Sequence, residues 1–162
     1  MNSGRRSPNA DELRVWRDFV ETGDRLRSLL GSRLQAESGL SSGDYAVLLA
    51  LTEADGKRMR PSDLATHISW ERSRLSHHLG RMESRGLVER QKFATDSRGT
   101  EIALTAVGAG LFRQASAAHL RAVRELFVDA LDADLLGKAD DVTRALRDHL
   151  GDQPTSGPVG GN

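Results

Sequence analysis

Residues 70–82, WERSRLSHHLGRM, concentrate side chains that could do chemistry. At about 100° per residue, Trp70, Ser73, Arg74, His77 and Arg81 share one face of a helix. Leu75, Leu79 and Met82 line the other at the i, i+4, i+7 spacing of a buried stripe. The polar face offers guanidinium, hydroxyl and imidazole groups and no carboxylate. Such a set hydrogen-bonds to acceptors and to negative charge.

Other chemistries fit less well. GLSSG at 39–43 has the form G-x-S-x-G, but a nucleophile elbow needs a preceding strand in an α/β sheet. Here a helical pattern precedes it and the serines read as caps, so catalysis is not expected. His67, His77, His78, His119 and His149 form no tight cluster, and adjacent His77 and His78 point about 100° apart on a helix. With no cysteine in the chain, disulfides, thiolate zinc and thiol redox sensing are excluded. No metal and no cofactor are expected.

The net charge of zero hides an asymmetry. Between Gly56 and Arg98 stand ten Lys or Arg against five acids, a local +5. The rest carries thirteen bases against eighteen acids, or −5. A basic middle within an acidic frame suits one segment that meets a polyanion. Arg outnumbers Lys 20 to 3, which reads as base composition of the genome. No run approaches 18 apolar residues and the N-terminus lacks an apolar signal region, so a cytoplasmic protein with no membrane partner is expected.

The basic segment needs elements to hold it. From Asp11 to about Ser38 the pattern is helical, with Gly23 a weak point and Gly39 a stop. Ser41 and Asp44 resemble a capping pair opening a second helix through Leu51. Pro61 suits the first position of a short third helix. Ser69 can cap the fourth, which ends at Gly86. Residues 61–86 thus read as a helix-turn-helix. Val88, Gln91 and Phe93 and then Glu101–Leu104 flank a polar turn, a β-hairpin. Thr105 caps a long helix to about Leu131, and a last one carries Leu135, Leu136, Val142, Leu146 and Leu150. Residues 1–10 and 151–162 lack pattern and are expected to be disordered. The long first and last helices carry apolar stripes that a module of about 60 residues cannot cover. They need each other or a second copy of the chain, and a homodimer is favoured.

SDLATHI with its following helix, then LGRMESRGLVERQ, then DSRGTEIALT stand in an order and spacing that resembles the MarR family of winged helix-turn-helix regulators. With the flanking helices the resemblance covers roughly residues 11–150. It implies a mainly α fold with a small β-hairpin, a winged helix-turn-helix lobe at 41–104 and dimerisation helices at 11–38 and 105–150. It also implies a homodimer on a palindromic operator in double-stranded DNA, acting as a repressor released by a small, often aromatic, ligand. Residues 70–82 would enter the major groove, with Arg72, Ser73, Arg74, Ser76 and His77 towards the bases. Arg74 is best placed for a bidentate contact with guanine. Arg60, Trp70 and Arg81 would meet phosphate. In the wing Asp96 and Arg98 match the family's acid and arginine, and the acid can hold the guanidinium extended towards a narrow minor groove. Leu13, Trp16, Phe19, Leu126, Phe127, Leu146 and Leu150 would pack between subunits.

Two features depart from the family pattern. Trp70 is a bulky aromatic beside the cap, and packing is its first reading. His78, nearer the apolar side than His77, suits a hydrogen-bonded structural role. A winged helix that binds protein, or one that responds to a metal, is the alternative function.

Overall fold

The computed structural model describes residues 6–92 and 99–151. Its contacts divide the chain into two compact units, residues 1–122 and 123–162. The first unit begins with α1 (Ala10–Ser38) and α2 (Ser42–Glu53). A single 3-10 turn (Asp55–Lys57) leads into β1 (Arg58–Met59). α3 (Pro61–His67), α4 (Arg72–Ser84), β2 (Val88–Lys92) and β3 (Thr100–Leu104) follow, then most of α5 (Ala106–Leu126).

Helix boundaries follow local chemistry. α1 starts inside the segment expected to be unpatterned, because Asn9 and Glu12 form a reciprocal capping box at 2.7 and 2.8 Å. It runs through Gly23 and stops at Gly39, whose φ of 71° is left-handed. Ser41 and Asp44 form the second capping box, as the sequence implies. α2 is apolar nearly all round, and Val47, Leu48 and Leu51 are fully enclosed. Pro61 occupies the first turn of α3. α4 ends on Gly86, φ 68°, with Leu87 N–H donating to Met82 O at 3.0 Å.

The sheet has three antiparallel strands in the order β1-β3-β2, with Met59 opposite Ile102 and Arg90 opposite Ile102 on the other side. β1 was not expected; two residues carry too little pattern to read. Ile102 and Val88 bury one face of the sheet against Leu64, Leu75, Leu79 and Met82, with Leu40, Leu51 and Phe112 in the same core.

α5 begins where the sequence places it. Thr105 Oγ1 accepts from Gly108 N–H at 2.9 Å and lies 2.6 Å from Gly86 O and 3.0 Å from Leu87 O. α5 ends at Leu126, five residues early, and Val128–Ala130 form a 3-10 turn. In the second unit Asp132 caps α6 (Ala133–Gly151) by accepting from Leu135 N–H at 2.8 Å. Arg144 pairs with Asp140 one turn before it. Among the described residues no helix is long and apolar enough to cross a membrane.

Gly108 is the tightest backbone approach. A Cβ there would lie 2.1 Å from the Leu87 carbonyl oxygen. Gly108→Ala is expected to cost ~3 kcal/mol, since the obstacle is backbone. At Gly110 the nearest atom to an added Cβ is the Arg113 Nη2 at 3.9 Å. Gly110→Ala is therefore expected to gain ~0.5–1 kcal/mol of helix stability. Urea unfolding of both variants checks the pair.

Candidate nucleic-acid interface

α4 has two faces, as its spacing predicts. Leu75, Leu79 and Met82 are buried, while Arg72, Ser73, Arg74, Ser76, His77 and Arg81 are exposed. Arg60 is exposed at the position preceding α3. Ser69 does not cap α4. It takes a left-handed φ of 55° in the turn, and Glu71 at the cap position makes no side-chain cap bond. The turn closes instead through Trp70 N–H to Ala65 O at 2.8 Å. The first N–H groups of α4 are therefore left without a side-chain cap, at the positive end of the helix dipole.

Beneath this face lies a charge the sequence only half reveals. Asp44 is buried, and besides Ser41 N–H at 2.9 Å its carboxylate accepts from Arg85 Nη1 at 2.7 Å. Arg85 also donates to Gly39 O at 3.0 Å, so one guanidinium joins the end of α4 to the α1–α2 corner. His78 Nε2 stands 3.0 Å from Asp44 Oδ1, off the line of a well-directed hydrogen bond. Arg81 Nη2 lies 3.0 Å from His78 Nδ1. A guanidinium only donates, so Nδ1 accepts and the neutral ring carries its proton on Nε2, facing Asp44.

Burial alone would raise the Asp44 carboxyl, but the hydrogen bonds from Arg85 and from Ser41 and the Arg85 charge outweigh it and hold it below its ordinary value. Burial lowers the His78 imidazole; Asp44 opposes this, Arg81 and Arg74 reinforce it, and the net direction is down. Asp44 is thus a carboxylate and His78 neutral at neutral pH. His78 has the structural place expected of it. The role of Arg85 was missed. Its place one residue past α4 carries no local signal, because its partner is 41 residues away.

Trp70 is half-buried, with its ring edge-on to His78, centroids 5.1 Å apart. The Arg74 guanidinium lies over that ring at 4.1 Å. The structure thus brings Trp70, Arg74, His78 and Arg81 together and leaves Arg72, Ser73, Ser76 and His77 along the open face. Arg90 reaches Glu83 at 3.3 Å, tying β2 to α4. Asp96 and Arg98 lie outside the described residues. Among the described residues no group of three His, Cys, Asp or Glu side chains could hold a metal.

The comparisons with known proteins agree with this geometry. A sequence model of the MarR family matches residues 38–99. AbsC, a MarR family transcriptional regulator from Streptomyces coelicolor, is 36% identical over 91% of this chain and 99% of its own, with a TM-score of 0.82. The chain belongs to the MarR family of transcriptional regulators. Sco3205, a MarR family regulator from the same organism solved in complex with DNA, is 32% identical over 95% of each chain, with a TM-score of 0.84. The 2,4-dichlorophenol-bound regulator RdhR-CbdbA1625 shares the fold at 21% identity and a TM-score of 0.74, covering 92% of this chain and 89% of its own. No curated protein matches the chain. This MarR-family regulator has the family's mainly α architecture with a small antiparallel sheet, and the family's members are not enzymes.

The Asp44 cluster makes stability depend on acid. A group whose folded pKa is depressed contributes stability that is present above its unfolded value and lost as pH falls through the folded one. For His78 that loss begins below pH 6.5, the ordinary imidazole value. His78→Gln is expected to flatten the curve just below that pH, as urea titration across pH would detect. Asp44→Asn strands Arg85, whose side chain is 42% exposed. Its cost at pH 7 is expected at roughly 2–3 kcal/mol, below that of a fully enclosed pair.

Proposed function

We propose that this regulator is a homodimeric repressor that binds a palindromic operator in double-stranded DNA, each chain placing α4 in the major groove. The observation that carries the reading is the exposed stripe of Ser73, Arg74, His77 and Arg81, with donors and no carboxylate among them, on the second helix of a helix-turn-helix. A B-DNA major groove admits one such helix, and its N-terminal residues meet base edges most easily. The relative Sco3205 was solved with DNA, which supports the reading.

Roles follow from position. Arg72, Ser73, Arg74, Ser76 and His77 lie in the first half of α4 and address bases, with Arg74 bidentate to guanine. Arg60, the uncapped start of α4 and Arg81 address phosphate. Arg81 already bonds His78, so its phosphate contact draws on the guanidinium's other donors. Trp70 borders the phosphate path without being free of the core. Asp96 and Arg98 serve the wing, with Arg98 in the minor groove.

Residues 11–38 and 105–150 form the dimerisation region and 41–104 the DNA-binding lobe. Leu13, Trp16, Phe19, Phe127, Leu146 and Leu150 are all between 36% and 64% exposed in the single chain, and Leu126 is partly exposed. Burying such side chains contributes ~1.5–3 kcal/mol each, which a partner copy would supply. The protein works in the cytoplasm. A small aromatic effector releases it from DNA, a reading supported by the 2,4-dichlorophenol held by RdhR-CbdbA1625.

Light scattering at micromolar concentration is expected to give twice the chain mass; a monomer would overturn the dimer. Selection from random duplex DNA is expected to return half-sites centred ~34–36 Å apart or a small multiple of that. On the selected duplex, Arg74→Ala is expected to cost ~1–3 kcal/mol and relax one base position per half-site. Arg98→Ala is expected to weaken many sequences alike and to lower the salt slope by ~0.9 per phosphate equivalent lost. Titration of both variants across a salt series separates the two grooves.

A further inference from the structure

Arg74 does not stand alone on the open face of α4. Its guanidinium carbon lies 4.1 Å from the centre of the Trp70 ring. Trp70 is itself held from behind. His78 meets it edge-on at 88°, and a Cβ on Gly43 of α2 would come within 2.8 Å of Trp70 Cη2. His78 in turn borders the buried Asp44 at 3.0 Å. A continuous series of contacts therefore runs from a buried carboxylate through an imidazole and an indole to a guanidinium at the surface.

We propose that Trp70 is a positioning residue for Arg74, fixing its guanidinium on the open face of α4 before DNA arrives. Stacking occupies the face of the guanidinium, whereas its N–H donors lie in the plane of the group and point outward. Arg74 can thus stay on the indole while its edge bonds a base. An arginine already held has less side-chain freedom left to lose on binding. The proposal rests on the reading of Arg74 as a base contact.

The test compares affinity for the duplex selected by the protein with affinity for a scrambled duplex. Wild type, Trp70→Phe, Trp70→Leu, Arg74→Ala and the Trp70→Leu/Arg74→Ala double variant are measured by fluorescence anisotropy. Trp70→Leu is expected to lower the selected-to-scrambled ratio about two- to fivefold, the change a partly exposed cation–π contact corresponds to. Trp70→Phe, which keeps a ring face, should restore most of it. In the Arg74→Ala background Trp70→Leu should change the ratio no further. A merely structural tryptophan would weaken both duplexes alike and add in full to Arg74→Ala; that result, or an unchanged ratio in Trp70→Leu while Arg74→Ala lowers it, overturns the proposal. An unchanged ratio in Arg74→Ala overturns the base contact first and the stack with it. If Trp70→Leu does not fold, acrylamide quenching decides in a Trp16→Phe background, where Trp70 is the one tryptophan left: it should rise on adding Arg74→Ala, which uncovers the indole, and no rise overturns the stack.

Discussion

A carboxylate taken out of water must find partners, and in this protein the search organises how α2 meets α4. Asp44 begins as a helix cap, bound to Ser41, an interaction that by itself needs only neighbours in sequence. Buried, it retains capacity for further donors, and they come from forty-one residues away, at the end of α4. Arg85 then spends its second amine on Gly39 O, at the corner between α1 and α2. One acid and one base thus fix how α2 meets the helix that carries the polar face. The apolar contacts around them, Leu48, Leu75 and Met82 among others, supply cohesion but tolerate sliding. Charged hydrogen bonds have fixed lengths and directions, so they set the register of that packing.

His78 extends the same constraint outward. Arg81 fixes its tautomer and Asp44 faces its Nε2. Burial first, and then the Arg81 and Arg74 charges, outweigh Asp44 and keep the ring neutral, so it fills space as a flat wall for Trp70 rather than as a cation.

Much of this was legible in the sequence because it rests on local rules. Ser41, Pro61, Gly39, Gly86 and Thr105 mark helix ends through backbone needs that act within a few residues. The period of Leu75, Leu79 and Met82 gave both faces of α4. Ser69 misled because a hydroxyl before a helix is only a cap if the turn lets it face the helix, and a left-handed φ turns it elsewhere. Asn9 was overlooked because polar residues at a chain end resemble a tail until the Glu12 partner is counted. β1 escaped because two residues have no period, and its existence depends on β3 offering a free edge. Arg85 and the Trp70–Arg74 stack are tertiary matters. Nothing within a window of a few residues distinguishes an arginine that reaches a distant carboxylate from one that reaches water.

The meeting of α5 with the segment between α4 and β2 has a mechanical side. The Leu87 carbonyl sits against Gly108 with no room for a methyl group, and Thr105 bonds the Gly86 and Leu87 carbonyls from the same end of α5. Close-packed atoms joined by hydrogen bonds have little compressibility, so this junction has no slack to absorb motion. A displacement of the first turn of α5 would press directly on Gly86 and Leu87. Those residues are the short link between the end of α4 and the start of β2, so the first turn of α5 is pinned to both as a lever is to its joint.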